Sequence, residues 1–359
     1  MENLITKHQG LKTFLLSVAT IVSLSGCGTL VTGQAWLESN ELKPSSDKVV
    51  IVGEVRSEPV GYYANHFALM ALFSKIVYRK DVPQDVRNKV GCGYISGSLP
   101  VPDIGMPKGK DGSGWSRWVG TPDVKACLNE NGLSFETYVH KSNNGTLDEA
   151  VIAFRGTENY STQEKLSDWA ANLSAVFGIE PPEYILAQQH VPKIVDALKR
   201  NYKNIKIYAT GHSLGGGLAQ QAGYLSDQIE AVYVFDPSPV TNWSYLKIRG
   251  AIKNEDPKIY RIYHWHEGLA YVRNVTSRFN SRRLGRSDFE FYFQAVSPVA
   301  AHEMGILACH LARRIQGDSA DHGYPKEFAL MVTSKEYQAN YLEHPVCPKE
   351  VVLDEGSEV

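Results

Sequence analysis

From Phe135 onward, short apolar runs and segments of helical period take turns along the chain. Phe135 to His140 alternates apolar and polar side chains, Asn143-Asn144-Gly145 supplies a turn, and Glu149 to Phe154 returns as an apolar strand, the pattern of a hairpin. Further strand-like runs lie at Ile205 to Thr210, Ala231 to Phe235, Lys258 to Trp265 and Phe289 to Val296. Between and after them, apolar residues recur three and four apart. Pro182 to Asn201 opens on prolines and is periodic through Val191, Ile194, Val195, Leu198 and Tyr202; Leu214 to Leu225 and Pro298 to Ile315 follow. An earlier segment, Tyr62 to Tyr78, repeats through Tyr63, Phe67, Met70, Phe73, Ile76 and Val77, so its apolar face belongs in a core. Alternating strands and helices predict an α/β domain with a mostly parallel sheet flanked by helices. No internal repeat, low-complexity segment or second folded domain interrupts it.

Two segments depart from this alternation. Ser96 to Gly114 carries five Gly and three Pro with almost no period and reads as a loop, followed at once by Trp115 and Trp118. Those two aromatics fit either a lipid-facing rim or lid, or a buried position. At the N-terminus, Lys7, His8 and Lys12 precede an apolar run from Phe14 to Leu24, the layout of a secretory signal peptide. Leu24-Ser25-Gly26-Cys27 then resembles the lipobox of bacterial lipoproteins, which implies cleavage before Cys27 and acylation of that residue. An uncleaved membrane anchor is the competing reading, because no charge occurs from Thr13 to Leu37; Gly26, Gly28, Gly33 and Gln34 make the second half of that span a poor membrane helix. Gly28 rather than Asp after the Cys resembles the sorting pattern for the outer membrane, facing the periplasm.

Composition narrows the rest. In 359 residues, 37 Lys and Arg stand against 39 Asp and Glu, and no run of like charges occurs, so no nucleic-acid surface or charged interaction tail is expected. Export puts Cys92, Cys127, Cys309 and Cys347 in an oxidising compartment. Three pairings are open to them; the two that close local loops, Cys92 with Cys127 and Cys309 with Cys347, are the expectation, against four buried free thiols. No cysteine spacing suits zinc. His264 and His266 fall on one face of a strand end without a third ligand at recognised spacing, so neither metal nor cofactor is expected.

The chemistry is concentrated at Gly211-His212-Ser213-Leu214-Gly215, a G-x-S-x-G sequence between a strand ending at Thr210 and a helix starting at Leu214. In that context the serine hydroxyl projects above the sheet from a strained turn, and the glycines leave room where side chains would collide. A Gly-rich turn whose Ser merely caps the helix is the plainer alternative. Together with Phe154-Arg155-Gly156-Thr157 and Asp168-Trp169 upstream, the Gly211 to Gly216 block resembles the class 3 lipases, the fungal-lipase-like branch of the α/β-hydrolases, over roughly residues 60 to 315.

The resemblance implies a single catalytic α/β-hydrolase domain at 49–345, after a signal peptide (1–26) and a tether (27–48) and before a tail (346–359). It also implies a serine esterase acting on lipid acyl esters, which the lipobox-like block would hold at the membrane through an acylated Cys27. A phospholipase A1, a small-ester carboxylesterase and a non-catalytic lipid-binding lipoprotein are the alternatives. Thr157 and the backbone of Leu214 are then the oxyanion-hole residues, Arg155 a buried ion-pair residue and Asp168 a helix start. Ser213 needs a base and the base an acid, in the chain order Ser, acid, His. His302, at the start of the Pro298 helix, is the expected base, ahead of His310 and His322, with His212 structural. For the acid, Glu267 precedes Leu269 and Val272 in a block resembling the family's D-x-V-P-x-L, with Glu for Asp and Ala270 for Pro; Asp236, in F-D-P-S-P, is the competitor. Oligomeric state is left open.

Overall fold

A computed structural model describes residues 48–51, 54–56, 60–78, 114–156, 180–270, 285–294, 297–341 and 346–347. The chain enters through β1 (Val49–Ile51), β2 (Glu54–Arg56) and helix α1 (Val60–Ile76). Next come β3 (Gly114–Arg117), β4 (Cys127–Glu130), β5 (Leu133–Lys141) and β6 (Leu147–Phe154). Helix α2 (Pro182–Asn201) then leads to β7 (Lys206–His212), α3 (Leu214–Leu225), β8 (Ile229–Phe235), α4 (Trp243–Ile248), β9 (Ile259–His264) and β10 (Arg286–Phe291). Short α5 (Pro298–Ala301) and α6 (Met304–Arg313) precede a two-stranded ribbon, β11 (Ser319–Ala320) with β12 (Tyr324–Pro325), and helices α7 (Lys326–Thr333) and α8 (Lys335–Tyr341).

Among the described residues one ten-stranded sheet runs β2-β1-β10-β9-β8-β7-β6-β5-β3, with β4 also on β5. Strands β6 to β10 are parallel, and β1, β2, β3, β4 and β5 add antiparallel edges. Because β6 to β10 are laid down in one direction, right-handed crossovers put their connecting helices on one face. There α2 and α3 bury Val191, Ile194, Leu198, Leu218 and Ala222 against Ile152, Ala209 and Val232. The opposite face needs cover from outside that run, and α1 and α6 supply it over Val151, Ala153, Tyr208, Tyr233 and Ile262. Alternate residues of one strand, Val151 and Ile152, thus serve opposite cores. Packed on both the sheet and α6, α1 is buried without interruption from Phe67 to Ser74, more than the one apolar face its period predicts.

One expectation is corrected. The Pro298 to Ile315 segment is two helices: Ser297 caps the first by accepting the N–H of Ala300 at 3.3 Å, and Glu303 is extended (φ −73°, ψ 122°) before α6 restarts. The apolar period runs on across the break, so the pattern reads as one helix. Of the two readings open for Trp115 and Trp118, burial is the one observed, Trp115 lying against the ring of Phe73 at 5.0 Å with its indole N–H donated to the His322 carbonyl at 3.0 Å. The hairpin register between β5 and β6 also locks β3 and β4, which period alone did not reveal.

Cys309 is bonded to Cys347 with a Cα–Cα separation of 4.9 Å, as the local-loop pairing expects, and Val346 and Cys347 are buried. Cys127 is likewise disulfide-bonded, to a partner outside the described residues, and free thiols are excluded for these three. The signal segment, Cys27 and the tether up to Asp47 lie outside the described residues; among the described residues no helix is long and apolar enough to cross a membrane.

Candidate active site

Strand β7 turns into α3 within one residue. Ser213 takes φ 58° and ψ −123°, a conformation costing about 1–3 kcal/mol for a side-chain-bearing residue. A Cβ on Gly211 would strike the Gly215 carbonyl, and one on Gly215 would strike the Phe154 carbonyl, so this close crossing of strand and helix admits only glycine at both. The turn is fixed by its own backbone: the Ser213 N–H donates to the Phe235 carbonyl at 3.1 Å, while its carbonyl accepts from Gly216 and Ser238, each at 2.9 Å. The hydroxyl is therefore held at the C-terminal edge of the parallel strands, where ligands of open α/β sheets bind.

His302, in the break between α5 and α6, meets it there. Its Nε2 lies 3.0 Å from Ser213 Oγ and its Nδ1 2.6 Å from Glu267 Oε2, and none of the three residues is more than 2% exposed. Glu267 sits in the turn after β9 and also accepts the Leu269 N–H at 2.8 Å on Oε2, which aims the carboxylate. A carboxylate only accepts, so Nδ1 carries the ring proton and the Nε2 lone pair faces the hydroxyl. Asp236, at φ 40° after β8, accepts the His264 N–H on Oδ1 at 2.9 Å. Of the two candidate carboxylates, it is Glu267 that hydrogen-bonds His302.

The remaining histidines sort by position. His310 donates from Nε2 to Gln294 Oε1 at 3.3 Å and accepts from Arg314 at 2.8 Å; burial, then Arg314, push its imidazole down to about 3. His322 pairs with Glu149 at 2.6 Å, and Glu149 is in register with Lys206 at the start of β7, so this pair occupies the opposite end of the sheet, about 20 Å from the elbow. His264 donates to the Trp265 carbonyl at 3.0 Å and burial lowers it to about 4, while the ring of His266 lies 3.7 Å from that of Trp265 at a tilt of 41°. These two do not converge on a metal-ligand set.

Among the described residues, His212, Asp236 and His302 do bring one potential ligand atom each within 4.8 Å of one another. Both nitrogens of both imidazoles are already in hydrogen bonds, which fits a proton-transfer row better than an ion site. Burial, then the neighbouring His302, hold the His212 imidazole well below its ordinary value. Arg155 reaches Asn129 Oδ1 at 3.0 Å beneath the strand end. Thr157 and Asp168 lie outside the described residues. Leu214 opens α3, and its amide, like any first-turn amide, has no acceptor within the helix. Sequence pattern missed Tyr78: it reads as the last apolar position of α1, yet its hydroxyl lies 2.9 Å from His212 Nδ1.

Residues 70–238 match the family model of a Tle-like phospholipase domain. The match takes in the Phe154 strand end, the elbow and Asp236, and stops before Glu267 and His302. A search of curated protein sequences finds no match. Among solved structures the chain is similar to a dienelactone hydrolase of Anabaena variabilis, at 10% identity and TM-score 0.32 over 55% of this chain and 95% of that one. It is also similar to the LIP2 lipase of Yarrowia lipolytica, at 17% identity and TM-score 0.30 over 56% and 71% of the two chains. An esterase of Pyrococcus furiosus gives 12% identity and TM-score 0.28 over 55% and 86%. The parallel order of β6 to β10 and the strained serine turn identify the α/β-hydrolase fold independently of these distant likenesses. The phospholipase-like match over residues 70–238 supports a carboxylic ester hydrolase.

Proposed function

We propose that the protein is a serine hydrolase that cleaves acyl esters of lipids through an acyl-enzyme, with phospholipids as the substrate class. The row Ser213, His302, Glu267 on a strained elbow carries this reading. His302 Nε2 takes the hydroxyl proton as Ser213 Oγ attacks the ester carbonyl, and Glu267 stabilises the imidazolium that forms. The Leu214 amide and Thr157 receive the developing oxyanion, His302 returns its proton to the leaving alcohol, and water then repeats the cycle on the acyl-serine. The phospholipase-like match over residues 70–238 supports phospholipid over neutral acylglycerol.

A fluorophosphonate probe should label the wild-type protein at Ser213 and leave Ser213→Ala unlabelled, and phospholipid vesicles should be hydrolysed faster than triacylglycerol emulsions. Labelling that persists in Ser213→Ala removes the serine mechanism; faster turnover of triacylglycerol removes the phospholipid assignment alone.

The same reading places the enzyme at the bacterial outer membrane on its periplasmic side, through acylation of Cys27. The motivation is the Leu24-Ser25-Gly26-Cys27 block. Cys27→Ser should yield unprocessed or soluble protein on fractionation. Mature-sized protein in the membrane fraction of that variant would defeat the anchor.

A further inference from the structure

His212 lies inside the elbow, yet both its nitrogens reach outside it. Nε2 is 2.7 Å from the backbone carbonyl of His302 and Nδ1 is 2.9 Å from the Tyr78 hydroxyl. The carbonyl can only accept, so Nε2 carries the proton; the ring is neutral, so Nδ1 accepts and the Tyr78 O–H donates. The Tyr78 oxygen in turn accepts the N–H of Gly156 at 3.0 Å. Each link therefore has one permitted direction: Gly156 N–H to Tyr78 oxygen, Tyr78 O–H to His212 Nδ1, His212 Nε2–H to the His302 carbonyl. The packing along this chain is tight, since a Cβ at Gly156 would lie 2.6 Å from both the Tyr78 hydroxyl and the His212 carbonyl. The imidazoles of His212 and His302 are 4.9 Å apart by their centroids.

The two ends of this chain are the places where an acyl transferase needs fixed geometry. Gly156 lies two residues past β6 and is next in sequence to Thr157, and the His302 carbonyl belongs to the break between α5 and α6, where helical backbone bonding lapses. We propose that Tyr78 and His212 are positioning residues, a neutral hydrogen-bond relay that ties the backbone carrying the base His302 to the strand end carrying the oxyanion hole. The inference rests on the serine-hydrolase reading above. A neutral ring is the only form that serves, because the relay needs an acceptor at Nδ1 and because a second cation beside His302 would oppose its imidazolium.

The test compares Tyr78→Phe, His212→Leu, His212→Gln and the Tyr78→Phe/His212→Leu double variant on a soluble ester, with thermal melts as the folding control. Tyr78→Phe and His212→Leu should each lower kcat by about 10–100-fold with KM within about twofold, as expected when alignment rather than ground-state binding is lost. The double variant should fall no further than the weaker single variant, because both cut one chain. His212→Gln, whose amide can donate to the His302 carbonyl and accept from Tyr78, should recover most of the kcat that His212→Leu loses. Tyr78→Phe keeps the ring volume, so it carries the test alone should His212→Leu fail to fold. A folded Tyr78→Phe with wild-type kcat overturns the relay, as do single losses that multiply in the double variant or a His212→Gln no better than His212→Leu. Hydrolysis surviving in Ser213→Ala would instead overturn the underlying serine reading.

Discussion

Ser213→Ala and His302→Ala each lower kcat/KM for a soluble ester by on the order of 10⁵-fold or more, to the same floor, and the double variant goes no lower. Oγ and Nε2, 3.0 Å apart, act in one step, so removing either abolishes the same transition state and the losses do not add. The residual rate reflects the oxyanion donors and binding alone. His322→Ala keeps most of the activity, since its partner Glu149 stands at the far end of the strands. Steady-state kinetics with matched thermal melts check the series. Inactive His322→Ala with active His302→Ala would move the base; additive losses in the double variant would separate the two residues mechanistically.

The next largest effect is expected at the acid. Glu267→Gln keeps the shape of the side chain but loses the charge that stabilises the imidazolium and fixes the Nδ1–H tautomer, lowering turnover by on the order of 10³–10⁴. The amide can present its NH₂ to Nδ1, favouring the tautomer whose proton sits on Nε2 and blocks the attack. Asp236→Asn costs less: its carboxylate receives the His264 N–H at 2.9 Å, a contact the Asn carbonyl can keep. At equal melting temperatures, a more damaged Asp236→Asn would transfer the acid's role one strand earlier.

Much of this arrangement is legible in the chain. The parallel strands betray themselves because β6, β7 and β8 are buried on both faces and so read as apolar runs. Helix α2 begins and ends where its prolines and period say, and the elbow is readable because strand, glycines and serine must coincide for the turn to exist. What escaped is what depends on distance across the fold. The break at His302 is invisible because Met304 and Leu307 continue the period of the preceding turn. The burial of Trp115 follows from pairing of β3 with β5 and packing on Phe73, neither of which leaves a local signature. Tyr78 ends an amphipathic pattern like many other aromatics, and only the approach of α1 to the elbow gives its hydroxyl a partner. The sequence already put Glu267 ahead of Asp236, but the turn that brings its carboxylate to His302 Nδ1 leaves no local signature.

Helices α1 and α6 cover the same sheet face from opposite ends of the chain, and Asn65 and Gln316 seal their meeting by reciprocal bonds of 2.9 and 2.7 Å across 251 residues. Contacts of such high sequence separation must meet their loop-closure entropy before they add stability. Ser213 belongs to the continuous β6 to β8 stretch, whereas His302 stands in the break just before α6. During synthesis Ser213 therefore emerges well before His302, and on the proposed mechanism the row is complete only once the segment between α5 and α6 is in place.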